Sequence, residues 1–140
     1  MAKVMFARLC KEIKKNQQSG LYSLIASFAH IKLTKGPVGF VCVVYWERAD
    51  ETFHQSFALM DEMDNLLDEM PSTECVLTTQ GENICTAFFY ASFPRAGCYH
   101  ISVYQNGVCI ETIPLQVMEA SQISDSHLTR FAPFESAAPG

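Results

Sequence analysis

Several things are scarce in this chain. Charged residues make up 18 % of its 140 positions and tryptophan occurs once. The longest apolar run, Phe40 to Trp46, is far too short to span a bilayer, so no membrane partner is expected. Met1-Ala-Lys-Val4 carries one charge and leads into no apolar h-region; no signal peptide is visible, and the cytoplasm is the expected compartment. The six cysteines (Cys10, Cys42, Cys75, Cys85, Cys98, Cys109) include no C-x-x-C pair, which argues against zinc and thioredoxin-like readings. Without a secretory signal they are expected to stay reduced and to act as small apolar residues. There is no G-x-S-x-G elbow, no P-loop and no G-x-G-x-x-G turn. The histidines (His30, His54, His100, His127) stand at no recognisable spacing from any cysteine, as a nucleophile–base pair would require. The expectation is a non-catalytic protein without a cofactor.

What is present is enough apolar material for a core. At 49 % hydrophobic residues, 140 positions fit one globular domain that needs no disulfide staples. Charge is unevenly placed. Residues 1–36 hold seven Lys/Arg and one acid, a net of +6, whereas residues 37–140 hold three Lys/Arg and fourteen acids, a net of −11. A net-acidic chain is a poor general nucleic-acid binder, although a local basic patch survives in this one.

Along the chain, Gly36-Pro37 breaks the sequence before Gly39 to Trp46, a β-branched and aromatic run with no polar alternation. It reads as a strand covered on both faces. Thr52 to Met60 alternates, with Phe53, Phe57 and Leu59 on one face, Gln55 interrupting them, and Thr52, His54 and Ser56 on the other, so it reads as a half-buried strand. Glu74 to Thr79 and Ile84 to Phe93 read as a strand pair around Gln80-Gly81-Glu82-Asn83. Two places are ambiguous. Leu21, Leu24, Ile25 and Phe28 lie at helical spacing and favour a helix over residues 21–29. Met60, Met63, Leu66, Leu67 and Met70 also share one helical face, so a short helix near residues 58–70 competes with a turn plus strand; Pro71 is expected to end either one.

The strongest local signal is Pro94 to Val117. Asn106-Gly107 tolerates positive φ at both central positions of a type I′ turn, which predicts a hairpin with Gln105 opposite Val108 and Tyr104 opposite Cys109. Carried further, this register places Val103 opposite Ile110 and Ile101 opposite Thr112. The apolar residues of the returning strand change parity, from Ile110 to Ile113, Leu115 and Val117, which requires a bend; Pro114, unable to donate to the ladder, is the expected place. About eight strands with turns every 8–12 residues predict an all-β fold, an antiparallel β-sandwich, over residues 1–118. Residues 119–140, without periodicity and ending in Pro-Gly, read as a disordered tail.

The order Ala2-Lys-Val-x-Phe-Ala-x-Leu-Cys10, Gly20-Leu-Tyr-Ser-Leu-Ile-Ala-Ser-Phe28, and a closing Pro94-x-x-Gly97-x-Tyr99…Asn106-Gly107…Ile113-Pro-Leu-x-Val117 resembles a family of short bacterial all-β proteins of no assigned activity. The resemblance covers roughly residues 2–118. It implies that Lys3–Cys10 and Leu21–Leu33 are paired strands joined by a lysine-rich loop, overriding the helical spacing at 21–29. It also favours a short strand at Asn65–Glu69. Ala26 stands where the family pattern has a glycine.

Candidate sites follow from these placements. Cys98, His100 and Cys109 would share a hairpin face, but the register leaves Cys109 about 13 Å from His100, too far for one metal ion. The acidic run Asp61, Glu62, Asp64, Asp68, Glu69 lacks the glycine and glutamate of a calcium loop and reads as a solvated surface. Lys11, Lys14 and Lys15, with Lys32 and Lys35, form the best candidate partner surface. No aromatic residues stand in the lysine loop to stack bases, so an acidic protein surface, including that of another copy, suits it better than nucleic acid. Phe131 and Phe134 form a candidate docking motif in the tail. The sequence reading is thus a protein-interaction or assembly module. Its rivals are a small-ligand or enzyme site built from His54, His100 and a distant acid, and an anion or nucleic-acid site on the basic loop.

Overall fold

A computed structural model of the chain describes residues 2–81 and 83–119. These form nine strands and no helix: β1 (Val4–Lys15), β2 (Tyr22–Phe28), β3 (His30–Lys32), β4 (Val38–Trp46), β5 (Glu51–Asp61), β6 (Leu66–Leu77), β7 (Ile84–Ala91), β8 (Gly97–Gln105) and β9 (Val108–Met118). A four-stranded sheet of order β2-β1-β4-β7 packs against a five-stranded sheet of order β3-β9-β8-β5-β6. The all-β sandwich expected from the sequence is therefore the fold. All pairings are antiparallel except β3 with β9, which run parallel.

The core lies between the sheets and follows strand alternation. Phe40, Cys42, Val44 and Trp46 of β4 and Ala87, Phe89 and Ala91 of β7 face Phe53, Phe57 and Leu59 of β5 and Ile101, Val103, Leu115 and Val117 of the closing hairpin. Each fully buried Val, Leu, Ile or Phe among them contributes about 1.5–3 kcal/mol. Rings interlock where the layers meet: Trp46 lies edge-on to Phe53 at 4.8 Å between centroids, and Phe93 edge-on to Tyr99 at 4.9 Å.

The closing hairpin turns as expected. Asn106 (φ 49°) and Gly107 (φ 80°) both take positive φ, and Gln105 and Tyr104 face Val108 and Cys109. The parity change comes earlier than Pro114, however. A bulge opposite Tyr104 and Val103 takes up Ile110, so Val103 faces Glu111 and Ile101 faces Ile113. From there Ile113, Leu115 and Val117 point inward without a further bend. Pro114 sits within β9 opposite His100. The amide of Gln116, two residues on, donates outward to Ala29 O at 3.0 Å, so the nitrogen of Pro114 faces the same outer side, before β3 begins, where no ladder bond is lost. The Pro94-x-x-Gly97-x-Tyr99 pattern has a structural reason. Gly97 takes φ 154°, which L-residues rarely adopt, and the Tyr99 hydroxyl donates to Arg95 O at 2.6 Å, fastening the strand's entry as tyrosine corners do in other sandwiches.

One alternative is decided and three expectations are corrected. Residues 58–70 take the turn plus strand rather than the helix: β5 runs to Asp61, a turn with Asp64 at φ 62° follows, and β6 starts at Leu66. Asp61 builds that turn by accepting from the backbone N–H groups of Met63 and Asn65, both at 2.9 Å, an arrangement short acidic side chains favour over helix. Pro71 does not end β6, because β6 is an edge strand and a bulge between its Met70 and Thr73 pairings absorbs the proline. Residues 74–79 and 84–93 are not a hairpin pair: β6 and β7 are edge strands of opposite sheets, and the intervening loop crosses between them. That crossing is tied by the buried Asn83, whose Nδ2 donates to Glu47 O and Thr78 O, both at 3.1 Å. Finally, the lysines at 11, 14 and 15 are not in a loop. β1 continues through Lys15, the loop spans Asn16 to Leu21, and Leu21–Leu33 divides at Ala29 into β2 and β3 on different sheets.

Candidate interaction surface

The candidate lysines are distributed over two sheets. Lys14 and Lys15 lie on β1 opposite Ser23 and Tyr22 of β2. The Lys14 ammonium is 3.6 Å from Glu12, and that of Lys15 stands 5.5 Å from the Tyr22 ring. Lys11 borders an open cleft with Ala26, His30 and Gly39. Lys32 instead pairs through β3 with Met118 of the other sheet, and Lys35 borders a second cleft with Leu33, Phe93 and Pro94. The structure thus keeps Lys11, Lys14 and Lys15 on one strand and separates Lys32 from them. Phe131 and Phe134 lie outside the described residues.

His54 and His100 do not converge, and His127 lies outside the described residues. His100 faces Pro114 and Met60, and its Nε2 is 3.4 Å from Asp64. His54 faces Glu74 and receives Asn106 through two bonds, its N–H donating to Asn106 Oδ1 at 3.0 Å and its carbonyl accepting from Asn106 N at 2.7 Å. The register therefore puts His54 and His100 near opposite ends of the sheet, about 20 Å apart at the usual strand rise. Cys98 and Cys109 lie opposite Gln116 and Tyr104 and are both exposed.

The more distinctive surface is one the sequence reading did not name. On β4 the residues alternate with the core set, so Gly39, Val41, Val43 and Tyr45 face away from the five-stranded sheet. Their ladder partners on β7 are Tyr90, Phe88, Cys85-flanking Thr86 and Ile84. On β1, Cys10, Arg8 and Phe6 stand opposite Val41, Val43 and Tyr45. Phe6 and Tyr45 form an edge-on ring pair at 5.3 Å with the Arg8 guanidinium 5.5 Å from Phe6. Val43 is fully buried here only by side chains from its own sheet, with Ile13, Leu24 and Ile84 packed around Cys10, Val41 and Val43. Phe88 and Tyr90 remain 61 % and 71 % exposed. Outer faces of antiparallel sandwiches are ordinarily polar, and a contiguous apolar one marks an interaction site.

Charge flanks this face on both sides. Lys15 extends β1 beyond it on the side of Ile13, beside the edge strand β2, while Lys14 points the other way with Glu12. At the opposite edge, Asp68 accepts from the backbone N–H of Tyr90 at 3.5 Å, bringing an acid to β7.

No family model and no curated protein matches the chain. Among solved structures it is similar, at 12 % identity, to the CARDB domain of the PF1109 protein from Pyrococcus furiosus in complex with di-metal ions; the match covers 81 % of this chain and 90 % of that one with a TM-score of 0.44. The soluble domain of PmoD from Methylocystis sp. matches at 16 % identity over 84 % of this chain and 98 % of that one, TM-score 0.43. The alkylpurine DNA glycosylase AlkC from Pseudomonas fluorescens, bound to DNA containing an abasic site analog, matches at 10 % identity and TM-score 0.42 over 64 % of this chain, which spans 27 % of that protein. No helix among the described residues is long and apolar enough to cross a membrane.

Proposed function

We propose that the protein is a non-catalytic assembly module of the cytoplasm that self-associates through the outer face of its four-stranded sheet. The observation that carries this reading is the exposure of Phe88 and Tyr90 beside Val41, Val43 and the Phe6–Tyr45 ring pair, on a face over which no other strand lies among the described residues. A second copy is the occupant the charges favour. With the twofold axis parallel to the strands, β2 of one copy lies over β7 of the other and β1 over β4, so Lys15, at the end of β1 beside β2, approaches the Asp68 side of its partner. An isologous contact of this kind satisfies both ends at once. Its size sets its strength. Four strands about 4.8 Å apart and some eight residues long give roughly 500 Å² per copy before side chains are counted, which belongs to the weak, exchanging class of interface.

The experiment is light scattering across concentration at low and high salt. The expected result is a monomer–dimer equilibrium that weakens as salt screens the flanking charges. Replacing Lys11, Lys14 and Lys15 together by glutamate should leave the melting temperature unchanged and weaken the dimer several-fold. Unchanged association in that variant would remove the lysines from the interface.

A further inference from the structure

We propose that Cys75 and Cys85 are a redox-active pair that closes reversibly into a disulfide between the two sheets. Cys75 lies on β6 opposite Phe53, and Cys85 on β7 opposite Val44; these strands are the edges of opposite sheets on the same side of the sandwich. Their sulfurs are 3.6 Å apart, so a bond of about 2.05 Å requires an approach of roughly 1.5 Å between two edge strands that share no sheet ladder.

The surroundings divide the two sulfurs into attacker and resolver. The Cys75 thiol, hydrogen-bonded to Cys85 and buried to 5 % exposure, is held protonated. Cys85 moves the other way: the bond from Cys75 favours its thiolate against the cost of burial, and the side chains of Gln55 and Trp46 add to that effect. The indole N–H of Trp46 is fully buried and has no hydrogen-bond partner of ordinary geometry, so a thiolate at Cys85 gives this orphaned donor something to face. Cys85 is also only partly buried, whereas Cys10 and Cys42 are enclosed. Burial, reinforced by Cys10, pushes Cys42 up to about 12. Thiolate character and access together decide which cysteine reacts.

The oxidant is a low-molecular-weight disulfide. The Cys85 thiolate attacks one sulfur of that disulfide, breaking its S–S bond, forming a mixed disulfide and releasing one small thiolate. With Cys85 no longer a thiolate, Cys75 gives its proton through solvent to the released small thiolate and attacks the Cys85 sulfur, expelling the second small thiolate, which takes a proton from water. One protein dithiol is oxidised and one small disulfide is reduced to two thiols. The bridge requires no new oxidant beyond that molecule, and an excess of small thiol reverses it. Reversible bridges of this type are the ones a reducing compartment tolerates.

The test is incubation of the full chain with glutathione disulfide, acid quench, alkylation after unfolding and peptide mass mapping. The expected result is a Cys75–Cys85 bridge, glutathione adducts at the exposed Cys98 and Cys109, and free thiols at Cys10 and Cys42. The bridged form should melt roughly 5–10 °C higher, and dithiothreitol should remove the difference. Cys75→Ser should stop the reaction at a glutathione adduct on Cys85, while Cys85→Ser should leave Cys75 free. Recovery of Cys75 and Cys85 as free thiols while Cys98 and Cys109 carry glutathione would overturn the proposal, and this comparison in the wild-type chain needs no variant to fold.

Discussion

The two outer faces of this sandwich are built from different residues on the same strand geometry. On the five-stranded sheet the outward positions are Thr52, His54, Ser56, Ala58 and Met60 of β5, Cys98, His100, Ser102 and Tyr104 of β8, and Thr112, Pro114 and Gln116 of β9, a mixed surface in which polar side chains predominate. On the four-stranded sheet the equivalent positions are Phe6, Cys10, Gly39, Val41, Val43, Tyr45, Ile84, Phe88 and Tyr90, with Arg8 and Thr86 as the polar residues among them. Strand alternation alone demands one apolar face per sheet, and the five-stranded sheet obeys it. The four-stranded sheet has two. The excess has no use in the sandwich core, because nothing in the described residues lies over it, and it is the physical basis for reading this face as an interface.

The sheets also differ in how their hairpins are secured. The β8–β9 turn has residues suited to its φ angles and is docked onto β5 through Asn106. Gly107→Val should therefore be the most damaging single change outside the core, costing about 2–3 kcal/mol, because a β-branched side chain resists φ of 80°. Thermal unfolding reads this directly; an unaltered midpoint would mean the five-stranded sheet does not depend on that turn. The four-stranded sheet carries the reverse situation. Ala26 of β2 holds φ 57°, a conformation that costs a non-glycine residue about 1 kcal/mol. Ala26→Gly should relieve this and raise stability by up to about 1 kcal/mol, less whatever glycine loses in chain entropy. A clear loss of stability would show that the alanine methyl makes contacts worth more than the strain.

The smallest expected effect is at the β5–β6 turn. Asp61 is held below the usual carboxylate range first by the backbone N–H of Asn65, with help from its side chain, Met63 and Arg95, against the opposing effect of burial. A depressed folded value means that its contribution is present above the ordinary value near 3.8 and is lost as pH falls through the folded value. Wild type should therefore lose more stability than Asp61→Asn between pH 5 and roughly pH 2–3, measured by denaturant unfolding at each pH. Parallel curves would mean that the carboxylate's charge adds nothing to the turn.

The sequence revealed most where the backbone chemistry was local. Asn106-Gly107 specified its turn and first pairings, and the alternation at Thr52 to Met60 gave β5 its inward and outward residues. Ala26 was marked as standing in place of a glycine, and it is one of the few non-glycine residues at positive φ. What failed was non-local. A bulge at Ile110 rather than a bend at Pro114 changes the parity of β9, and only the pairing partner reveals which residue is skipped. Whether β6 and β7 form a hairpin or belong to opposite sheets depends on Asn83 being buried at the crossing, which loop composition does not show. The apolar outer face was half visible. The unbroken apolar run at Phe40 to Trp46 announced a strand covered on both faces, and among the described residues a second sheet lies over only one.

The measurement that bears most directly on the central claim is molar mass by light scattering over a concentration series, comparing wild type with Phe88→Asp/Tyr90→Asp. Both side chains are largely exposed, so the double variant should keep the wild-type melting temperature. The expected result is concentration-dependent dimerisation of the wild type and a weakening of about 100-fold in the variant, the effect of losing from a small interface the two aromatic side chains that the face leaves most exposed. A wild type that remains monomeric at every concentration, or a variant that dimerises as well as wild type, would contradict the account.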